Sequence, residues 1–339
     1  MPPKWYWPID PSNIPKIVVE PPGPKAQEII KMDESLVMQS FGRWYPLVIR
    51  RGGYGPVVED VDGNLYIDFN AGIAVMNVGH SHPRVVEAIK RQAELFTHYS
   101  MTDFYYELIV KHASMLRDIV PISGDKRVFY TNSGTESIEG AMKVARGHFR
   151  NQRPYIIAFL GAFHGRTYGS MALTASKPIQ RLGFNPMLPN VIHIPYPPYP
   201  PYRCPFGRNL TEEECGEAVL GYLEDWIFGK MVDPSEVSAI FFEPIQGEGG
   251  YVVPPRNFFP GLRKIADKYG ILLVDDEVQA GFGRTGKWFA IEHWGVEPDI
   301  ITMAKAIAAG LPLGAIVGRT NIMDLPRGGL TPIPLAVTQ

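Results

Sequence analysis

The sequence predicts an α/β fold in which a mostly parallel central sheet carries helices on both faces. Three observations point to it. Short apolar runs alternate with helical segments along most of the chain. Runs such as Ile271 to Val274 are apolar throughout, as strands buried on both faces are. Polar or glycine-bearing segments then follow the runs directly, at the strand ends where open α/β sheets keep their ligands.

The elements can be read in order. The first thirty residues are interrupted by prolines, and Val18 to Pro24 reads as an extended arm. Val57 to Phe69 alternates around Asp62-Gly63-Asn64, the pattern of a hairpin. Pro83 opens a helix whose apolar positions Val85, Val86, Ile89, Ala93 and Phe96 recur at helical spacing. Val128 to Tyr130 is a strand leading into a helix from Glu136 to Phe149. Tyr155 to Leu160 and Ala239 to Phe242 are further strands, Phe259 to Tyr269 is a helix, and Ile271 to Val274 is a buried strand. Pro195 to Pro205, rich in proline and tyrosine, is expected to be an ordered surface excursion.

Bulk composition narrows the function. At 339 residues, 45% hydrophobic and 12% aromatic, the chain can build a large core. A net charge of -2 provides no global field for nucleic acid or an anionic membrane. No uncharged stretch reaches spanning length, and the amino terminus lacks the cationic and apolar regions of a secretion signal. A cytoplasmic protein acting on small molecules is the expectation. Cys204 and Cys215 sit in no metal-ligand spacing and are expected to remain unpaired thiols.

The densest chemistry is Asp275-Asp276-Glu277-Val278-Gln279, at the carboxyl end of an apolar strand. Alone, this is a metal site or a plain polar strand terminus. A second apolar run, Asp299 to Ala304, ends in the single lysine Lys305, and a lysine just past a buried strand is costly unless paired or used covalently. Asn132-Ser133-Gly134-Thr135-Glu136 lies between strand and helix. A capping box accounts for Ser133 and Glu136 but not for Gly134 or Thr135, which suit an anion at a helix N-terminus. Gly281 to Gly286 reads G-x-G-x-x-G, yet it stands six residues past its strand, and Asp299 opens the next run rather than ending it. It is therefore read as a glycine-rich loop, not a dinucleotide fingerprint. His80-Ser81-His82 is read as helix entry rather than metal ligation.

Taken together, Asp276 to Gln279, Gly281, Gly283 to Gly286, Asp299 and Ala304-Lys305 resemble the signature of class III pyridoxal-phosphate aminotransferases, over roughly Gly53 to Gly318. The resemblance implies a fold-type-I transferase: an arm and part of an incomplete small α+β domain over 1–75, a large cofactor-binding domain over 76–325, and a truncated tail over 326–339. It implies pyridoxal 5'-phosphate as cofactor. Lys305 would hold it covalently and then move the proton at the substrate Cα. Asp276, favoured over Asp275 by register, would face the pyridine nitrogen; adjacent strand residues point to opposite faces, so only one can. Gln279 would contact the ring hydroxyl, Gly134 and Thr135 the phosphate, and Phe163 would stack on the ring. Glu243 would be a buried acid nearby, and Thr331 the threonine that reaches a neighbouring subunit's phosphate. His164 receives no catalytic role.

Arg166 and Ile73 match residues of 4-aminobutyrate aminotransferases, where the arginine grips the far carboxylate of the substrate. Glu248 matches a gate that pairs with an arginine supplied by a C-terminal domain. The resemblance therefore implies transfer of an amino group from an ω-amino acid such as 4-aminobutyrate to a 2-oxo acid such as 2-oxoglutarate, by a homodimer or higher oligomer. Ornithine or acetylornithine transamination, or racemisation, is the alternative on the same scaffold. An inactive remnant that binds cofactor or a full-length relative is the other. Because members of the family continue beyond the point matching Gln339, a truncated chain with uncovered apolar surface is expected.

Overall fold

The structure is a computed structural model that describes residues 13–40, 42–53, 55–197 and 203–325. The chain divides after Tyr99 into two compact units.

The first unit holds helix α1 (Pro24–Leu36) and an antiparallel three-stranded sheet, β1 (Ile49–Gly52), β2 (Val57–Asp60) and β3 (Leu65–Ile67), in that order. A single turn, α2 (Ala71–Ala74), and helix α3 (Pro83–Leu95) follow. The β2–β3 hairpin forms where the alternation predicts it, and Asp60 organises its turn. Its carboxylate accepts from the Asp62 and Asn64 amides (both 2.9 Å), from Asn64 Nδ2 (2.8 Å) and from Tyr66 Oη (2.8 Å). These bonds hold the Asp60 carboxyl below its ordinary range against the opposing effect of burial.

Helix α1 begins at Pro24, the residue at which the expected arm over Val18 to Pro24 ends. Proline at the first helical position is compatible with a helix, but Gly23 offers no side-chain cap. The cap comes from the hairpin turn instead: Asp62 accepts from the Lys25 and Ala26 amides, both at 3.0 Å. Asn64 fixes the arm itself, accepting from the Val18 (2.7 Å) and Val19 (3.0 Å) amides.

The second unit contains α4 (Glu107–Ile119), β4 (Lys126–Thr131), α5 (Gly134–His148), β5 (Tyr155–Phe159), α6 (Tyr168–Leu173) and β6 (Val191–Ile194). Then come α7 (Glu212–Gly221), which continues as a π-helical segment over Tyr222–Met231, β7 (Val237–Phe242), α8 (Phe258–Tyr269), β8 (Leu272–Asp276), β9 (Ile300–Met303), β10 (Gly314–Arg319) and α9 (Thr320–Met323). The seven strands are ordered β4-β10-β9-β8-β7-β5-β6. All neighbours pair in parallel except β10, which is antiparallel to both β4 and β9.

Alternate residues of β7 supply the two faces of this sheet. Ile240 and Phe242 join one core with Phe159, Phe259 and Leu273, while Ala239 and Phe241 join the other with Ile138, Ala141 and Val274. The run is apolar throughout because both of its faces are buried.

Two expectations are corrected here. Cys204 and Cys215 form a disulfide, with Cα atoms 5.7 Å apart. The Thr211–Glu214 capping box starts α7 and folds the chain back, so that buried Cys215 meets Cys204. The Pro195–Pro205 segment, of which 198–202 lie outside the described residues, is not wholly a surface excursion either. Tyr196 is buried, and its hydroxyl donates to the Glu243 (2.9 Å) and Pro244 (3.2 Å) carbonyls.

Candidate active site

β4, β5, β7, β8 and β9 run in one direction, so the segments after their last residues share the carboxyl edge of the sheet. That edge gathers Ser133 to Glu136, Gly161 to Thr167, Glu243 to Gly250, Asp276 to Gln279 and Lys305. Asp299 lies at the other end of β9. There it takes Arg263 Nη1 (2.8 Å), Arg319 Nη1 (2.5 Å) and the Leu273 amide (2.8 Å), and so ties the sheet rather than the site.

Asp276 is 3% exposed, and its carboxylate is held from two sides. Oδ2 meets His164 Nδ1 at 2.8 Å and Oδ1 accepts from the Val278 amide at 3.0 Å. His164, given no catalytic role by the sequence, is therefore part of the site's architecture through this contact. The partners are 112 residues apart, and no local pattern announces such a contact. Because a carboxylate can only accept, Nδ1 carries the proton of that contact, and His164 Nε2 is buried without a partner among the described residues. Asp275 points to the opposite face of β8, as the strand's period requires.

Glu243 spans two segments of the edge. One oxygen accepts from the Phe163 amide (2.8 Å) and the other from the Gly247 amide (3.0 Å). Burial outweighs these donors and the nearby His164, and pushes its carboxyl up to about 7. Phe163 carries the Arg166 guanidinium 5.7 Å from its ring centroid, and Arg166 is exposed. The Gln279 side chain lies directly over Gly247, where a Cβ would overlap its amide oxygen.

Lys305 opens a short 3-10 turn after β9 with φ at 48°, a left-handed conformation that a lysine seldom adopts. Burial lowers its ammonium from the ordinary lysine range, although Asp276, Glu243 and Glu248 each favour the charged form. Glu248 itself meets Lys177 Nζ at 3.3 Å.

At the start of α5, Ser133 Oγ accepts from the Glu136 amide at 3.4 Å, and Glu136 returns to the Asn132 amide at 2.6 Å. The first-turn amides of Gly134 and Thr135 have no intrahelical partner, as at any helix start, and can serve an outside acceptor. Thr135 Oγ1 sits among hydroxyls, 2.9 Å from Thr167 Oγ1 and 2.5 Å from Ser170 Oγ.

Two of the remaining expected residues are not among the described residues of the second unit. Ile73 belongs to the first unit, in the left-handed turn α2, and is 55% exposed. Thr331 lies outside the described residues. The Gly281–Gly286 loop leads into no α-helix, only a 3-10 turn at Ala290–His293, so the dinucleotide reading fails structurally as well. Among the described residues no group of three or more potential ligands could hold a metal ion.

This donor set fits pyridoxal phosphate. It combines an amine of lowered basicity, a buried carboxylate with fixed orientation, an aromatic ring, and hydroxyls beside two open helix-start amides. The comparisons agree. Residues 41–331 match the family described as "Aminotransferase class-III". The alanine/serine racemase of Pyrococcus horikoshii is 45% identical over 95% of this chain and 67% of its own length. The 4-aminobutyrate aminotransferase of Mycobacterium tuberculosis is 41% identical over 93% of this chain and 70% of its own. In structure, an (S)-enantioselective omega-transaminase from Thermomicrobium roseum superposes with a TM-score of 0.81 at 33% identity, covering 88% of this chain and 67% of that one. The chain thus spans about two thirds of the length of these relatives. No helix among the described residues is long and apolar enough to cross a membrane. The chain belongs to the class III aminotransferases, pyridoxal-phosphate-dependent enzymes of the α/β fold seen here.

Proposed function

We propose that the protein transfers the amino group of an ω-amino acid such as 4-aminobutyrate to a 2-oxo acid such as 2-oxoglutarate. One observation carries the substrate class: the exposed Arg166 guanidinium beside the Phe163 ring. A guanidinium there can take a carboxylate by two parallel hydrogen bonds, leaving the far amine to point into the site.

Each of the other residues has a task that its chemistry permits. When bound, pyridoxal phosphate supplies an aldehyde for amines and an electron sink for the bond broken at carbon. Lys305, with its basicity lowered by burial, presents more neutral amine near pH 7 than a free lysine. It is suited first to covalent attachment and then to carrying the substrate's proton. Asp276 supplies the anion that holds a pyridine nitrogen protonated. Phe163 gives the stacking face, Gln279 a hydrogen bond to a ring hydroxyl, and Gly134 with Thr135 the phosphate contacts. Glu248, paired with Lys177, gates the second substrate's carboxylate. The same reading carries a cytoplasmic homodimer.

Racemisation is the second reading, and the 45% identity to the alanine/serine racemase favours it. Both readings need Lys305 to move a proton at the carbon that bears the amine. They differ in whether the nitrogen leaves with the substrate.

The test uses the purified chain loaded with pyridoxal phosphate. The absorbance band of lysine-bound cofactor should appear and should be lost in Lys305→Ala. Glutamate should form from 4-aminobutyrate and 2-oxoglutarate. Formation of D-alanine or D-serine from the L enantiomer, without glutamate, transfers the assignment to racemisation. No band in the wild type refutes both.

A further inference from the structure

Glu139 is a second-turn residue of α5 that faces another element rather than solvent. Its Oε1 accepts from Thr167 Oγ1 and, at 3.0 Å, from the Ser170 amide. Gly169 lies so close that a Cβ there would overlap the carboxylate. These contacts draw the start of α6 against α5 and bring Thr167 and Ser170 to Thr135, at 2.9 and 2.5 Å. Gly165 closes the group, since a Cβ there would overlap Thr135 Oγ1 and Ser170 Oγ.

The direction of the hydroxyl bonds follows from counting protons. A carboxylate can only accept, so Thr167 spends its one hydroxyl proton on Glu139. Thr167 Oγ1 is then an acceptor toward its neighbours. Ser170, buried in this group, can donate to Thr135 Oγ1 or to Thr167, whose hydroxyl and carbonyl oxygens lie at 2.9 and 3.2 Å. Thr135, flanked by these two hydroxyls, can donate to either of them or to an acceptor outside the cluster. Without Glu139, neither Thr167 nor the Ser170 amide would be held against α5, and their placement beside Thr135 would be lost.

We infer that Glu139 is a positioning residue for the cofactor phosphate. By holding Thr167 and Ser170 it keeps the Thr135 hydroxyl in place beside the first-turn amides of α5. The inference rests on the reading of Thr135 as a phosphate contact.

A plain tether between α5 and α6 would weaken every ligand of the site alike. A positioning role instead shifts the preference for a phosphorylated ligand. The experiment therefore titrates pyridoxal phosphate and pyridoxal separately into the full chain, following absorbance, and records the thermal midpoint of each variant. Glu139→Ala should weaken pyridoxal phosphate about tenfold, the size of one or two lost hydrogen bonds, while pyridoxal changes less than about twofold. Glu139→Gln should restore most of the preference, because its amide oxygen can accept both bonds. Equal loss for the two ligands, or an unchanged ratio in Glu139→Ala, overturns the inference. Thr135→Ala separates it from its premise. If that variant lowers the ratio and Glu139→Ala does not, only the role of Glu139 fails; if neither does, the phosphate reading of Thr135 fails as well.

Discussion

The two faces of β8 carry acids one residue apart in sequence and opposite in circumstance. On one face Asp276 is met by an imidazole N–H and a backbone amide. On the other, both oxygens of Asp275 and one oxygen of Glu277 are buried without a donor among the described residues, and only the second Glu277 oxygen is served, by the Ile291 amide at 2.9 Å. Burial is nearly complete on both faces, so depth does not separate them. Donors do. Asp276 has a donor at each of its oxygens. Asp275 and Glu277 are built to keep protons: burial, with Glu277 and Asp276 adding to it, raises Asp275 well above its ordinary range, and burial, with Asp276 and Glu292 adding to it, raises Glu277 to about 8. A shared proton gives these acceptors the partner that the polypeptide does not.

This contrast can be broken at several points. The largest effect should come from Asp276→Asn, which removes the anion and should reduce turnover by roughly a thousandfold. Asp275→Asn should leave turnover within about threefold. Steady-state kinetics on the two variants decide it, and comparable losses would remove the distinction between the faces.

Next comes stability. Asp275→Asn places an amide donor against Glu277, and should raise the unfolding free energy at pH 8 by about 1–3 kcal/mol in urea titrations. The pH dependence should follow the sign of the shifts. Both acids hold their protons to higher pH folded than unfolded. Their contribution is complete below the ordinary carboxylate range and is lost as pH rises through about 8 for Glu277. The wild type should therefore weaken over that interval, and Asp275→Asn should weaken less steeply. A wild-type stability that climbs steadily from pH 5 to pH 8 would show the pair to be ionised.

The smallest effect concerns His164. Asn can reproduce the Nδ1 donor to Asp276, so His164→Asn should cost no more than about 1 kcal/mol of cofactor binding, whereas His164→Leu should cost more. Equal losses in the two variants would mean that the ring's volume matters rather than its N–H.

Much of this arrangement was legible in the sequence, and what was not has a common cause. Strands buried on both faces announce themselves as unbroken apolar runs, and β7 and β8 lie where Ala239–Phe242 and Ile271–Val274 predict them. The acidic cluster and Lys305 were visible because polar residues directly after such runs must be accounted for. Helix α1 was missed because its cap, Asp62, comes from a hairpin beyond it in the chain. The disulfide was missed because cysteine spacing carries no geometry until α7 turns the chain back. His164 and Glu139 were passed over for the same reason. Each has an unremarkable local setting, and its meaning lies in a partner brought near by the sheet.

The antiparallel strand β10 bears on how the protein is made. β4, whose last residue Thr131 precedes the helix-start amides of Gly134 and Thr135, has no other neighbour in the sheet, and Thr131 pairs with Gly314. During synthesis β4 and α5 emerge early, yet the strand that seats them is among the last of the described elements to leave the ribosome. The phosphate end of the site must therefore wait, with α5 unanchored on that side, while its lysine and carboxylate strands assemble around β8 and β9. Ligand added to nascent chains should be retained only once β10 has been translated.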